Sequence, residues 1–230
     1  MTERTAVITG ASRGIGRAIA IRLSREYEII AAARSQRELA ALAEEIGTAG
    51  GRCRPLELDV TDPLAVSRTL AGIDADVLIN NAGVGSLKPL LELTPPEWQR
   101  MVDVNFNALF HVTRALLPGM VERRAGHVVI IGSISGRSAF VGGSCYAATK
   151  RAVAGFAECL MLEVRDQGVK VSVVNPGSVA TEFGAGSTSA KQWALKPEDV
   201  AETVAHVLSA PSHVLVHTVE VRALSRNTRG

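Results

Sequence analysis

Tyr146 and Lys150 stand four residues apart in the run Tyr146-Ala147-Ala148-Thr149-Lys150. On a helix, that spacing puts both side chains on one face, where they can converge on a single ligand. A free phenol ionises near about pH 10, too high for efficient proton exchange at neutrality, but a neighbouring ammonium favours the phenolate. Tyr146, tuned by Lys150, is therefore expected to give a proton to a carbonyl oxygen or to accept one from an alcohol. Ser133 follows the apolar run His127 to Gly132 and can hydrogen-bond the same oxygen as charge develops on it. Ser135 is close enough in sequence to take its place. Taken singly, Tyr146 reads as an ordinary helix residue, Lys150 as a solvated charge and Ser133 as a turn residue at a strand end. Their joint spacing is what argues for chemistry.

A second set of residues is suited to phosphate. Thr9-Gly10-Ala11-Ser12-Arg13-Gly14-Ile15-Gly16 falls where a strand ends and a helix begins. Gly10 permits a tight turn, Gly14 lets the backbone approach a pyrophosphate, Gly16 allows close packing, and the helix N-terminus favours negative charge. The spacing is GxxxGxG rather than the commoner GxGxxG, and three nearby glycines can also make a plain turn. The next strand ends in Ala31-Ala32-Ala33 without the acidic residue that accepts a ribose 2′-hydroxyl, and Arg34 follows at once. Arg34 and Arg13, from adjacent strand ends, could converge on a 2′-phosphate, with Ser12 or Ser35 adding a hydroxyl. This points to NADP(H), against the alternative of two solvated surface arginines. Asp59 after Pro55-Leu56-Glu57-Leu58 could accept from an adenine amino group or cap the next helix.

Asn80-Asn81-Ala82-Gly83, Ser133, Tyr146 to Lys150 and Pro176-Gly177 follow the glycine segment in that order. Together they resemble the short-chain dehydrogenase/reductase family, of the TGxxxGxG, NNAG and YxxxK type, over nearly the whole chain. The resemblance implies a catalytic tetrad of Asn105, Ser133, Tyr146 and Lys150, with Asn105 helping to hold water in a relay from Lys150 toward solvent. Ser133 rather than Ser135 has the family's separation from Tyr146. It also implies a cofactor surface that includes Ile15, Asp59, Val60, Asn81, Ala82, Gly83, Pro176 and Gly177, with Val179 and Thr181 near the nicotinamide amide and Lys150 on the ribose hydroxyls. The expected activity is hydride transfer between NADP(H) and a small carbonyl or alcohol. A catalytically silent dinucleotide sensor would need the glycine loop but not the proton-transfer residues. An NAD-linked alcohol dehydrogenase is disfavoured by Ala33 and Arg34.

To position these residues, apolar β-rich runs must alternate with helices. Seven strands are expected, at Thr5 to Thr9, Glu28 to Ala33, Arg52 to Leu58, Val77 to Asn80, His127 to Gly132, Lys170 to Asn175 and Val216 to Val221. The pattern predicts one α/β domain over residues 1–230, a Rossmann-type doubly wound parallel sheet with helices on both faces. Ile15, Ile19 and Leu23 form one stripe of the first helix, away from Arg17, Arg22 and Arg25. Asn105 falls inside a long helical segment, Pro95 to Arg124, where an Asn is locally unfavourable. The Gly-, Ser- and Thr-rich stretch Glu182 to Trp193 reads as a short mobile substrate lid. Ala139, Phe140 and Val141 would join it as specificity walls.

The 230 residues are 47% hydrophobic with a formal net charge of +2, which suits a buried core and gives no large basic surface for nucleic acid. No apolar run reaches membrane-spanning length, no leader pattern opens the chain, and a cytoplasmic protein is expected. Cys53, Cys145 and Cys159 have neither disulfide-framework nor metal spacing, so free thiols and no metal are expected. Phe106, Leu109, Phe110, Phe156, Leu160 and Leu162 are more apolar surface than one sheet contact needs, so a homodimer or homotetramer is expected through these helices.

Overall fold

The computed structural model describes residues 4–181, 183 and 193–225. Seven strands, β1 Thr5–Thr9, β2 Glu28–Ala33, β3 Cys53–Glu57, β4 Val77–Asn80, β5 Gly126–Ile131, β6 Val169–Pro176 and β7 Thr218–Val221, form one parallel sheet in the order β3-β2-β1-β4-β5-β6-β7. The expected strands differ from these only at their ends. The order reverses between β1 and β4, so the C-terminal ends of these neighbours open the crevice where doubly wound sheets bind ligands.

Helices α1 Gly14–Leu23, α2 Gln36–Thr48 and α7 Pro197–Leu208 cover one face. Helices α3 Pro63–Leu70, α5 Ala108–Glu122 and α6 Ser144–Val164 cover the other, and α4 Pro95–Val102 leads into α5. Because both faces are covered, the central strands are continuously apolar, as in the buried run Val128 to Ile131. On α1, Ile19 and Leu23 are buried and Ile15 packs beside them, while Arg22 turns outward to Glu26 and Glu202 at 3.0 and 2.9 Å. Such exposed pairs contribute little stability.

The expected continuous helix Pro95 to Arg124 is instead interrupted. Asp103–Asn107 forms a π-helical turn between α4 and α5, with Asn105 buried within it. The wider turn inserts a residue and re-aims the side chains there, which 3.6-residue periodicity cannot register. Most of the expected lid, Glu182 to Trp193, lies outside the described residues, Phe183 and Trp193 excepted. Among the described residues, no helix is long and apolar enough to cross a membrane.

One buried polar relay runs from β5 through β6 to the segment that leads into β7. Ser172 Oγ donates to Val216 O at 2.6 Å, so its single hydrogen is committed and His127 Nε2, 2.7 Å away, must donate to it. Burial, with the nearby Lys170 charge, lowers the His127 pKa to about 4. The unfolded chain therefore takes up this proton first, and stability present above about pH 6.5 should fall as the pH drops toward 4. Denaturant midpoints measured across that range should decline less in His127→Asn than in the parent; equal declines would show that His127 is not responsible.

Candidate active site

The glycine turn is built by close backbone approach. Gly10 and Gly14 have φ of +65° and +57°, the left-handed region that favours glycine. A Cβ on Gly16 would lie 2.3 Å from Gly10 O and 2.4 Å from Asn81 Nδ2, so the helix can enter here only without a side chain. Arg13 is the extended N-cap residue of α1 and offers no side-chain cap to the first turn, where Gly14, Ile15 and Gly16 stand. Thr9, which opens the glycine segment but was given no role of its own in sequence, fastens the turn to the next loop. Its Oγ1 donates to Ile79 O at 3.3 Å and accepts from the backbone N–H groups of Asn81 and Ala82, each at 3.1 Å. Asn81 Nδ2 returns to Thr9 O and Gly10 O at 3.0 and 3.1 Å. Its amide is thus a brace between two loops.

At the end of β2, Ala11 N donates to Ala32 O at 3.2 Å, which draws the Ser12–Arg13 turn toward the strand end that carries Arg34. Both arginines are exposed, and Ser35 caps α2 by accepting from Glu38 N. Arg34 shares an open groove with Glu57, Leu58 and Asp59. Asp59 does not cap the next helix; Asp62 does, accepting from Leu64 N and Ala65 N at 2.9 and 3.0 Å. Asp59 accepts instead from Thr61 N and Oγ1. Burial raises its pKa, but these bonds and the charges of Arg34 and Arg100 outweigh that and leave it lowered. Val60 is buried and lines a small cavity with Thr9, Ala82 and Lys150.

The proton-transfer residues meet at the ends of β4, β5 and β6. Ser133 follows β5 in extended conformation, and its N–H donates to Asn175 Oδ1 at 3.0 Å. Gly132 makes room for that contact, since a Cβ there would lie 2.1 Å from Asn175 Oδ1. Asn175, before Pro176, is a second residue that sequence reasoning missed. Ser133 Oγ accepts from Ser135 N at 3.1 Å, and its hydroxyl acts on the Tyr146 phenol to favour the ionised form. The Ser135 backbone thereby serves Ser133.

Tyr146 lies in the first turn of α6, and burial raises its pKa while the Ser133 hydrogen bond offsets part of the rise. Lys150 Nζ lies 5.9 Å from the Tyr146 ring centroid and donates to Ile131 O at 2.9 Å, so its charge is directed beneath the ring. Burial pushes the Lys150 ammonium down to about 8. The phenol is accordingly held in its protonated form at neutral pH.

Asn105 is held through both ends of its amide. Its Oδ1 accepts from Val84 N at 2.8 Å, and its Nδ2 donates to Val84 O and Thr149 Oγ1 at 3.0 and 3.1 Å. Both amide hydrogens are used, so the side chain staples Val84, just after the Asn81–Gly83 loop, to α6. Gly83 lies beside this amide. Across the crevice, Gly177 N donates to Val221 O at 2.8 Å and Val179 bridges to Leu195. Thr181 then rests on Gly14, where a Cβ would lie 3.4 Å from Thr181 Cγ2. Pro176 to Thr181 thus closes over the glycine turn.

A doubly wound sheet whose switch point carries a braced glycine turn beside a phenol, a hydroxyl and a buried ammonium defines a dinucleotide-linked dehydrogenase. The profile of the short chain dehydrogenase family matches residues 4–192, and the chain belongs to that family. It is 36% identical to the NADP-dependent 3-hydroxy acid dehydrogenase of Salmonella typhi, over 97% of this chain and 96% of that protein. The closed form of a serine dehydrogenase complexed with NADP⁺ superposes with a TM-score of 0.90 at 34% identity, covering 98% of this chain and 97% of that one. A 3-oxoacyl-[acyl-carrier protein] reductase from Brucella melitensis with bound NAD has a TM-score of 0.85 at 35% identity, covering 95% of this chain and 89% of that one.

Proposed function

We propose that this chain is an NADP(H)-dependent oxidoreductase that interconverts a small carbonyl compound and its alcohol, with Tyr146 as general acid and base. The observation that carries the reading is the Tyr146 phenol on the same helix face as buried Lys150, whose Nζ stands 5.9 Å from the phenol ring centroid, with Ser133 at the adjoining end of β5. The cofactor fits the residues present. A Cβ would fill the cradle at Gly10 and Gly16, and the uncapped first turn of α1 suits a pyrophosphate. Gly10, Ser12, Arg13, Gly14, Ile15, Gly16, Asn81, Ala82, Gly83 and Thr181 would hold it. When bound, it supplies or takes up the hydride. In reduction, Tyr146 gives its proton to the substrate oxygen. Because Ser133 Oγ accepts from Ser135 N, its own hydrogen is left to steady that oxygen. Lys150 keeps two hydrogens beyond the one given to Ile131 O, enough for ribose hydroxyls.

The preference for NADP(H) rests on Ala33 and Arg34, supported by the Ala11–Ala32 contact that brings the Arg13 turn alongside. The relatives named for NADP favour the same reading, and the NAD-bound reductase shows that fold likeness alone does not decide it. One arginine–phosphate hydrogen bond is worth roughly 1.5–3 kcal/mol, or about one to two decades in affinity. Replacing Ala33 by Asp and Arg34 by Ala should invert the preference, because the carboxylate takes the ribose hydroxyl and repels the phosphate. The check is kcat/KM with NADPH and NADH, at matched ionic strength, in the parent and the double variant. Equal use of both by the parent, or an unchanged preference in the variant, would reject these residues as the phosphate readers. The reading includes a cytoplasmic location, where Cys53, Cys145 and Cys159 stay reduced. It includes a homodimer or homotetramer through α5 and α6, where Phe110 and Leu162 remain 48% and 56% exposed.

A further inference from the structure

Phe183 is 42% exposed, yet its ring is not idle on the surface. It lies 5.4 Å from the Tyr146 ring, centroid to centroid, at an interplanar angle of 56°. On its other side it presses on Gly85, where a Cβ would stand 2.6 Å from Phe183 Cε1 and Cζ. The backbone at Gly85 therefore forms a slot that only a glycine leaves open to the ring.

The wall containing that slot is held from several directions and has little freedom to yield. Val84 is fixed at both backbone groups by Asn105. Ser86 N donates to Met101 Sδ at 3.4 Å, and Ser86 Oγ donates to Glu97 at 3.1 Å. Lys88 Nζ is 2.6 Å from the same Glu97 carboxylate, so the ammonium of this wall is already neutralised. Glu97 is itself fixed in a capping box with Thr94 at the start of α4. What faces the phenol from this side is thus an aromatic ring against a stiff, uncharged backbone.

We propose that Phe183, seated in the Gly85 slot, is a specificity-determining residue that limits the substituent beside the reacting carbonyl to a slim, uncharged, apolar group. The inference rests on Tyr146 as the proton donor, since the ring selects only by bounding the space over that phenol. Substrates of this class are small aliphatic ketones and aldehydes; an aryl group would compete with Phe183 for the same volume.

The test compares acetophenone with butan-2-one under NADPH in the parent, Phe183→Ala, Gly85→Ala and the double variant. Removing the ring should raise the acetophenone-to-butanone ratio of kcat/KM by about tenfold or more, the scale of pocket discrimination against extra apolar groups. Gly85→Ala, whose methyl expels the ring from its slot, should shift that ratio in the parent but not in the Phe183→Ala background, where nothing is left to expel. An unchanged ratio in Phe183→Ala, or a Gly85→Ala effect of equal size in both backgrounds, would overturn the proposal. Nitration by tetranitromethane, followed by peptide mass spectrometry, gives a reading independent of turnover. Tyr146 should react several-fold faster in Phe183→Ala while Tyr27, buried elsewhere, keeps its rate; equal Tyr146 rates would remove Phe183 as its cover. A parent inactive on both ketones would count against the reductase reading, and the nitration rates would then decide the placement of Phe183 separately.

Discussion

Tyr146→Phe is expected to lower kcat by roughly 10²-fold or more, the usual contribution of a positioned proton donor, while binding NADPH with nearly parental affinity. The substitution removes one hydroxyl and keeps the ring. The packing against Phe183 therefore survives, as does the first turn of α6, whose Tyr146 carbonyl accepts from Thr149 Oγ1 at 2.8 Å. Ser133 loses its partner but keeps its bonds to Asn175 and Ser135, so the oxygen site is not dismantled. Steady-state rates and cofactor titration by fluorescence on the purified variant check this. Near-parental turnover would take Tyr146 out of the mechanism.

Lys150→Met should lose activity on a similar scale and, unlike Tyr146→Phe, should also weaken NADPH binding. The ammonium is buried, bonded to Ile131 O and provided with two further hydrogens, so its loss would remove the proposed ribose contacts as well as the charge beneath the phenol. Methionine fills much of the same volume, which limits the cavity left behind. A pH profile adds a second reading. With burial pushing Lys150 down to about 8, the group is charged below that pH and neutral above it. Parental activity in the reductive direction should therefore fall as the pH rises through this value, and the residual activity of Lys150→Met should lack that limb. Unchanged cofactor affinity in the variant would reject the ribose contact.

The sheet was legible in sequence because a parallel strand buried on both faces must be an apolar run, and the runs at β1, β4 and β5 have no other plausible use. The glycine turn was legible for a similar reason, since Gly10 and Gly14 adopt backbone angles that other residues resist. The π-helical turn was not. Asn105 looked like an isolated defect in a long helix, and nothing local distinguishes a tolerated Asn from one that opens the helix to reach Val84 and Thr149. Spacing likewise showed that Lys150 shares a face with Tyr146 but not that its ammonium also bonds Ile131 O. Thr9, Asn175 and Gly85 act through partners some 40 to 100 residues away in sequence. Their signals were their places beside recognised motifs, before Gly10, before Pro176 and after Gly83.

The central claim is that this site moves a hydride between the nicotinamide and a carbonyl carbon, and isotope transfer tests it most directly. The purified protein is incubated with butan-2-one and NADPH carrying deuterium on both hydrogens of nicotinamide C4, and the product is analysed by mass spectrometry. The account predicts butan-2-ol with one deuterium on the carbinol carbon and NADP⁺ formed in equal amount. Cofactor oxidised without labelled alcohol, or alcohol formed with solvent hydrogen at that carbon, would contradict it.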